Sequence, residues 1–174
     1  MRARVDRDLL SRFMRAFGAE ADRATNVYFT GGATAVLHGW RTSTIDVDLK
    51  IAPESDRLLR ALPRLKEELA INVELAAPDD FIPALPGWEE RSRFIETIGK
   101  ATFRHYDMYA QALSKIERGH AADRMDVAAM LERGLVDTDR LLSLFAEIEP
   151  FLYRYPAIDP PSFRRAVQEA VFRG

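Results

Sequence analysis

Two aspartates one residue apart, Asp46 and Asp48, lie in the stretch "TSTIDVDLKI", and a third acid, Glu74, lies in "INVEL". Ahead of them a glycine pair, Gly31-Gly32, follows the run "NVYFT", and Arg41 falls between the pair and the aspartates. Carboxylates at i and i+2 of a strand share a face and repel unless a cation or solvent intervenes. If Glu74 lies on a neighbouring strand facing the same way, three carboxylates meet. Oxygen donors without Cys or paired His suit a hard divalent ion, Mg²⁺ or Mn²⁺, which completes its shell with water and phosphate oxygens.

Each feature also has a plainer reading. A D-x-D pair is often the solvated side of a half-exposed strand, and a Gly pair is often only a tight turn with positive φ. Against the plain reading, Asp is depleted in strands, and placing two opposite a perfect apolar row is a local cost that functional sites tend to carry. A glycine turn that ends a strand and opens a helix presents backbone N–H groups to phosphate. Together the turn, Arg41 and the acidic strand make a phosphate cradle, a counter-charge and a metal platform.

The elements that must hold these residues follow from periodicity. Leu9, Leu10, Phe13, Met14 and Phe17 predict an amphipathic helix over 8–19. "NVYFT" predicts a strand, and "ATAVLHGW" about two turns of helix. Thr44, Asp46, Asp48 and Lys50 alternate with Ile45, Val47, Leu49 and Ile51, which predicts a strand with one apolar face. "ESDRLLRALPRLKEELA" reads as a helix that Pro63 kinks or interrupts. Ile71, Val73 and Leu75 alternate with Asn72 and Glu74 in a further strand. The runs "RFIETI" and "ATFRHY" predict a hairpin around Gly99-Lys100.

From Asp107 the pattern is helical, with breaks at Gly119, Gly134, Pro150 and Pro156 and candidate caps at Asp107, Asp137 or Thr138, and Asp159. Leu141, Leu142, Leu144, Phe145, Ile148, Phe151 and Leu152 predict a bundle core. The expected fold is therefore α/β, in the α+β sense: a small mixed sheet flanked by helices with a helical C-terminal part. The expected domains are 1–106, a core with its N-terminal helix, and 107–174, helical.

The stretch "TGGATAVLHGWRTSTIDVDL" resembles the signature of the DNA polymerase β-type nucleotidyltransferase superfamily: a glycine pair or Gly-Ser, a spacer, then Asp, an apolar residue and Asp or Glu. Thirteen residues separate Gly32 from Asp46 here. The finer pattern is similar to a small prokaryotic branch that includes AbiEii-type toxins. That branch carries a helical K…R…D…D segment, matched by Lys115, Arg118, Asp123 and Asp126 in "SKIERGHAADRMDVAAML". "DDFIPALPGWEER" looks like the loop after its third acidic strand. The resemblance covers residues 26 to 134.

What the resemblance implies is metal-dependent transfer of a nucleoside monophosphate from a nucleoside triphosphate such as ATP, with pyrophosphate release. Asp46, Asp48 and Glu74 become the metal ligands and catalytic carboxylates, Glu74 helping to deprotonate an acceptor hydroxyl. Gly31, Gly32, Arg41, Thr44 and Lys115 become nucleotide contacts. The acceptor is expected among tRNA or other RNA, protein and small molecules, and a cognate antitoxin is an expected partner. The chain departs from the pattern at Gly32, where Ser is common and where Ser43 or Thr44 offers a replacement hydroxyl. It departs again at Glu74, where Asp is commoner and Asp79 or Asp80 is a substitute. These departures keep a second reading open, a catalytically silent nucleotide- or nucleic-acid-binding module or toxin–antitoxin component. Hydrolysis on the same platform is a third.

The formal net charge of −2 over 174 residues gives no global field for polyanions. Residues 91 to 124 hold a local excess, seven Arg or Lys against four acids. Without cysteine there is no disulfide scaffold or thiolate chemistry, and a reducing cytoplasm is the expected compartment. No secretory signal and no membrane span is expected. His38, His105 and His120 lack zinc-ligand spacing and are expected in fold or surface roles, as are Trp40 and Trp88. Asp123 and Asp126 could equally pair with Arg118 or Arg124 near a helix start.

Overall fold

The structure is a computed structural model describing residues 2–173, and its contacts divide the chain into two units. The first runs up to Ala77 and resumes over Ser92–Tyr106; the second takes Pro78–Arg91 and the chain from Asp107 onward.

The first unit contains helices α1 (Arg7–Ala19), α2 (Gly32–His38) and α3 (Asp56–Glu68), and strands β1 (Thr25–Thr30), β2 (Asp46–Ala52), β3 (Asn72–Leu75), β4 (Arg93–Ile98) and β5 (Ala101–His105). The strands form one mixed sheet in the order β3-β2-β1-β5-β4. β1 pairs antiparallel with β2 and parallel with β5, β2 pairs parallel with β3, and β4 with β5 forms the expected antiparallel hairpin. The α/β architecture expected from the sequence is the one observed.

Alternation decides which face is buried. Val27 and Phe29 of β1, Val47 and Leu49 of β2 and Phe103 of β5 are fully buried with Leu10, Phe13 and Phe17 of α1 and Leu58 and Leu65 of α3. Phe29 stacks on Phe103 at 5.7 Å and Phe13 on Phe17 at 5.1 Å between ring centroids. Burying each such side chain contributes about 1.5–3 kcal/mol. This core fixes the direction of β2, and so turns Asp46, Asp48 and Lys50, each half-buried, to the opposite face.

Several sequence expectations need correction at element ends. Ile45, predicted to share the apolar row with Val47, is 61% exposed because β2 begins only at Asp46. Leu75, predicted inward with Ile71 and Val73, is 56% exposed as the last residue of an edge strand. α3 runs without a break through Pro63, opened by Ser55, whose hydroxyl accepts from the Leu58 N–H.

The second unit contains α4 (Trp88–Arg91), α5 (Met108–Arg118), α6 (Ala121–Glu132), α7 (Thr138–Ile148) and α8 (Pro160–Arg173), with single-turn or short 3-10 segments at Pro78–Asp80 and Glu149–Arg154. Asp107, Asp137 and Asp159 cap α5, α7 and α8 by accepting backbone N–H groups. Leu141, Leu144, Ile148, Phe163 and Val167 form part of its core. Residues 78–91, placed with the α/β part by the sequence reading, group here instead. Arg91 donates twice to the buried Asp107 carboxylate, at 3.1 and 2.8 Å, and the Tyr155 hydroxyl donates to the Asp79 carbonyl. No helix among the described residues is long and apolar enough to cross a membrane.

Candidate active site

The acidic face is built by register. Asp48 of β2 lies opposite Thr30 of β1 on one side and Glu74 of β3 on the other, while Asp46 lies opposite Asn72. Glu74 is exposed, and Asp46 and Asp48 are half-buried. Parallel pairing of β2 with β3 thus brings the three predicted acids to one face of adjacent strands.

Gly31 stands where β1 ends and α2 begins, with φ +62° and ψ −130°, a conformation closed to side chains bearing a Cβ. A Cβ there would sit 3.2 Å from Asp48 Oδ2, so the turn backbone lies directly against that carboxylate. Gly32, the first residue of α2, has no room for a side chain at all. A Cβ would fall 2.0 Å from the Thr44 hydroxyl oxygen. The volume that a serine at position 32 would occupy is therefore filled by Thr44, whose hydroxyl donates to the Asp46 carbonyl at 3.0 Å.

Thr44 is held from behind. Its backbone exchanges two hydrogen bonds with Val5, at 2.7 and 2.9 Å. Ser43, the other candidate hydroxyl, accepts from Arg4 Nε at 3.0 Å. Arg41 follows α2, its N–H donating to the Ala35 carbonyl at 3.3 Å.

One residue of this face escaped sequence reasoning. The Asn72 side-chain amide donates to Asp46 Oδ1 at 2.7 Å and to Glu74 Oε1 at 2.8 Å, and its oxygen accepts from Arg2. The available signal was a strand-disfavoured Asn two residues before Glu74 on the same side. Among the described residues no three His, Cys, Asp or Glu side chains gather closely enough to hold a metal ion, so Glu74 does not complete a ligand set with Asp46 and Asp48 here. The donor set itself, carboxylate oxygens on a common face beside a backbone turn, has the chemistry of a hard divalent ion.

Beneath α2, His105 is 7% exposed, and its Nδ1 lies 3.1 Å from the Thr34 hydroxyl. Its ring is 4.5 Å from that of His38, which stacks on Trp40. Burial, then the proximity of His38 and Arg93, pushes the His105 imidazole down to about 3. It is a neutral fold residue, as its spacing suggested.

The Lys115 set is different in kind. Lys115, Asp123 and Asp126 are buried, and the Lys115 ammonium lies 2.8 Å from Asp126 and 3.8 Å from Asp123. Arg118 forks onto Asp123, which also accepts from the His120 N–H. Burial raises the Asp123 carboxyl, but Arg118, Lys115 and that N–H outweigh it and hold it below the usual range. Lys115, expected at nucleotide phosphate, therefore has its charge neutralised inside the helical unit. The basic excess of 91–124 is likewise divided: Arg91, Lys115 and Arg118 are held in ion pairs, and the segment belongs partly to each unit.

A search of curated proteins and one of solved structures each find no match. A family model does match, over residues 9–159, a span that takes in the glycine turn, both aspartates, Glu74 and the buried Lys115 set. The chain belongs to that family, described as a nucleotidyltransferase of unknown function, DUF6036.

Proposed function

We propose that the protein transfers a nucleoside monophosphate from a nucleoside triphosphate to an acceptor hydroxyl. The observation that carries this reading is the Gly31 turn lying against Asp48 on the face shared with Asp46. It brings backbone donors for phosphate and carboxylates for a metal into one supersecondary unit. Mg²⁺ or Mn²⁺, held by Asp46 and Asp48, would supply Lewis-acid activation of the α-phosphate. The chain's own residues do the rest. The Gly31-Gly32 backbone binds the triphosphate, and Arg41 stabilises its charge. Glu74 accepts the proton of the acceptor hydroxyl, and the turn orients the chain of phosphates for in-line departure of pyrophosphate. Thr44, filling the space beside Gly32 where the superfamily pattern often has a serine side chain, supplies the hydroxyl of the phosphate cradle.

Within the superfamily we place the chain near the AbiEii-type branch, supported by the Lys115, Arg118, Asp123 and Asp126 set. An RNA or protein acceptor, a cytoplasmic setting and an antitoxin partner rest on that likeness. Lys115 is left out of the nucleotide site, its charge being paired with Asp126.

The test incubates the protein with Mg²⁺, each α-labelled nucleoside triphosphate, and bulk tRNA, cell protein extract or aminoglycosides. Label transfer and pyrophosphate release that vanish in Asp46→Ala and Asp48→Ala are expected. Nucleotide binding without turnover in any pool supports the second reading, a silent binding module, which the glutamate at position 74, where the superfamily pattern more often has aspartate, favours. Absence of metal-dependent nucleotide binding overturns both.

A further inference from the structure

We propose that Asn72 is a positioning residue that makes Glu74 usable as the third carboxylate, holding it beside Asp46 without neutralising either. This rests on the preceding reading of Asp46, Asp48 and Glu74 as the reactive carboxylates. Three hydrogen bonds define the role. Arginine can only donate, so the contact from Arg2 turns Asn72 Oδ1 toward the guanidinium and the amide nitrogen toward the acids. The two amide protons then go to two different carboxylates, Asp46 Oδ1 at 2.7 Å and Glu74 Oε1 at 2.8 Å. Both are short bonds to charged acceptors, the stronger kind.

Glu74 needs such a tie more than its neighbours do. It is exposed on an edge strand of four residues, and a glutamate has one more rotatable bond to fix than an aspartate. The parallel register sets Asn72 beside Asp46 and two residues before Glu74, so a single short side chain on that face reaches both. Its neutrality is essential. A lysine at position 72 would pair the acids and close the site, as Lys115 does with Asp126. An amide fixes their oxygens and leaves both negative charges in place, Asp46 for a cation and Glu74 beside it to take up a proton.

The test uses the full chain and Mn²⁺ as probe. Calorimetric titration is run on wild type, Asp46→Ala, Asn72→Leu, Arg2→Ala, Glu74→Ala and Asn72→Leu/Glu74→Ala, with thermal unfolding of each. Asn72→Leu is expected to weaken Mn²⁺ binding about tenfold or more, the usual size for an outer residue that orients a ligand, with Tm unchanged. Arg2→Ala, an exposed substitution that cannot unfold the sheet, should shift affinity the same way by less. In the Glu74→Ala background the Asn72→Leu loss should shrink, because one of its two targets is gone. In metal-free ¹⁵N-labelled protein the Asn72 side-chain amide signals should move on Glu74→Ala. Equal Mn²⁺ affinity in wild type and Asn72→Leu, or amide signals indifferent to Glu74→Ala, overturns the inference and leaves the proposed function standing. Mn²⁺ binding that is absent from wild type, or that persists in Asp46→Ala, overturns the proposed function, and the role of Asn72 with it.

Discussion

Carboxylates gather at two places in this molecule, and the two are built on opposite principles. In the helical unit Asp123 and Asp126 are almost wholly buried, and Lys115 and Arg118 meet them at 2.5–3.8 Å. On the sheet Asp46 and Glu74 stay within reach of water and share the neutral amide of Asn72. A buried carboxylate must be charge-paired to be tolerated, and once paired it offers nothing to a ligand. A half-exposed one can be held by dipoles and keep its charge for something else. The residue types are the same; the partner's charge separates a carboxylate locked into the scaffold from one left open to a ligand.

The comparison can be broken most directly inside the helical unit. Asp126→Ala takes away the closer of the two carboxylates beside the buried Lys115 ammonium and leaves Asp123 at 3.8 Å, and should cost about 3–5 kcal/mol of stability by denaturant unfolding. An unchanged unfolding midpoint would make that cluster as dispensable as a surface pair. Asp48→Ala should do the reverse, removing label transfer by about 10³-fold, roughly 4 kcal/mol of barrier, while Tm stays within a few degrees of wild type. A large fall in Tm would reclassify the sheet acids as scaffold.

Gly32→Ser sharpens the comparison at the edge of the site. The new side chain meets the Thr44 hydroxyl, and overpacking of this kind costs about 1–3 kcal/mol. Pairing it with Thr44→Ala removes the hydroxyl contact but leaves the Thr44 Cβ 2.5 Å from the new one, so only part of the stability should return, and activity should follow only if one hydroxyl in that volume is what the reaction needs. At neutral pH the smallest effect belongs to another titratable group, which is neither ion-paired nor open. His105 is held neutral, so below its ordinary value of 6.5 the unfolded chain takes up a proton that the folded chain refuses. Stability from this residue is complete above about pH 6.5 and is lost progressively as pH falls toward 3. His105→Gln should flatten Tm against pH across that window and leave the neutral-pH slope alone.

Much of the sheet face was legible because alternation is a local signal. Val47, Leu49 and Ile51 announce a buried row, so Asp46 and Asp48 must lie opposite, and Gly31-Gly32 marks the turn before a helix ended by Gly39. The failures sit where the signal stops being local. Ile45 falls just before the first residue of β2, and Leu75, though paired with Leu49, closes the edge strand, so both are exposed where alternation alone would bury them. Asn72 reads as a polar strand residue until the register sets it beside Asp46, 26 positions away. Thr44 gains its meaning only when the β1–α2 turn closes over it. Lys115 matched a family pattern, but periodicity cannot show that its ammonium is turned onto Asp126.

The segment ahead of α1 carries a practical consequence. Ala3 donates to the Ala70 carbonyl, Val5 bridges Thr44, Arg4 reaches Ser43 and Arg2 reaches Asn72. Four successive residues are thus stitched along the side of the acidic face, and the first of them orients its one neutral amide. A purification tag fused directly ahead of Arg2 would be delivered to the rim of the site, and a polyhistidine there would compete for the very ions used to assay it. Material for metal and nucleotide measurements is best tagged at the other terminus, or cleaved to leave Arg2 free to make its contact.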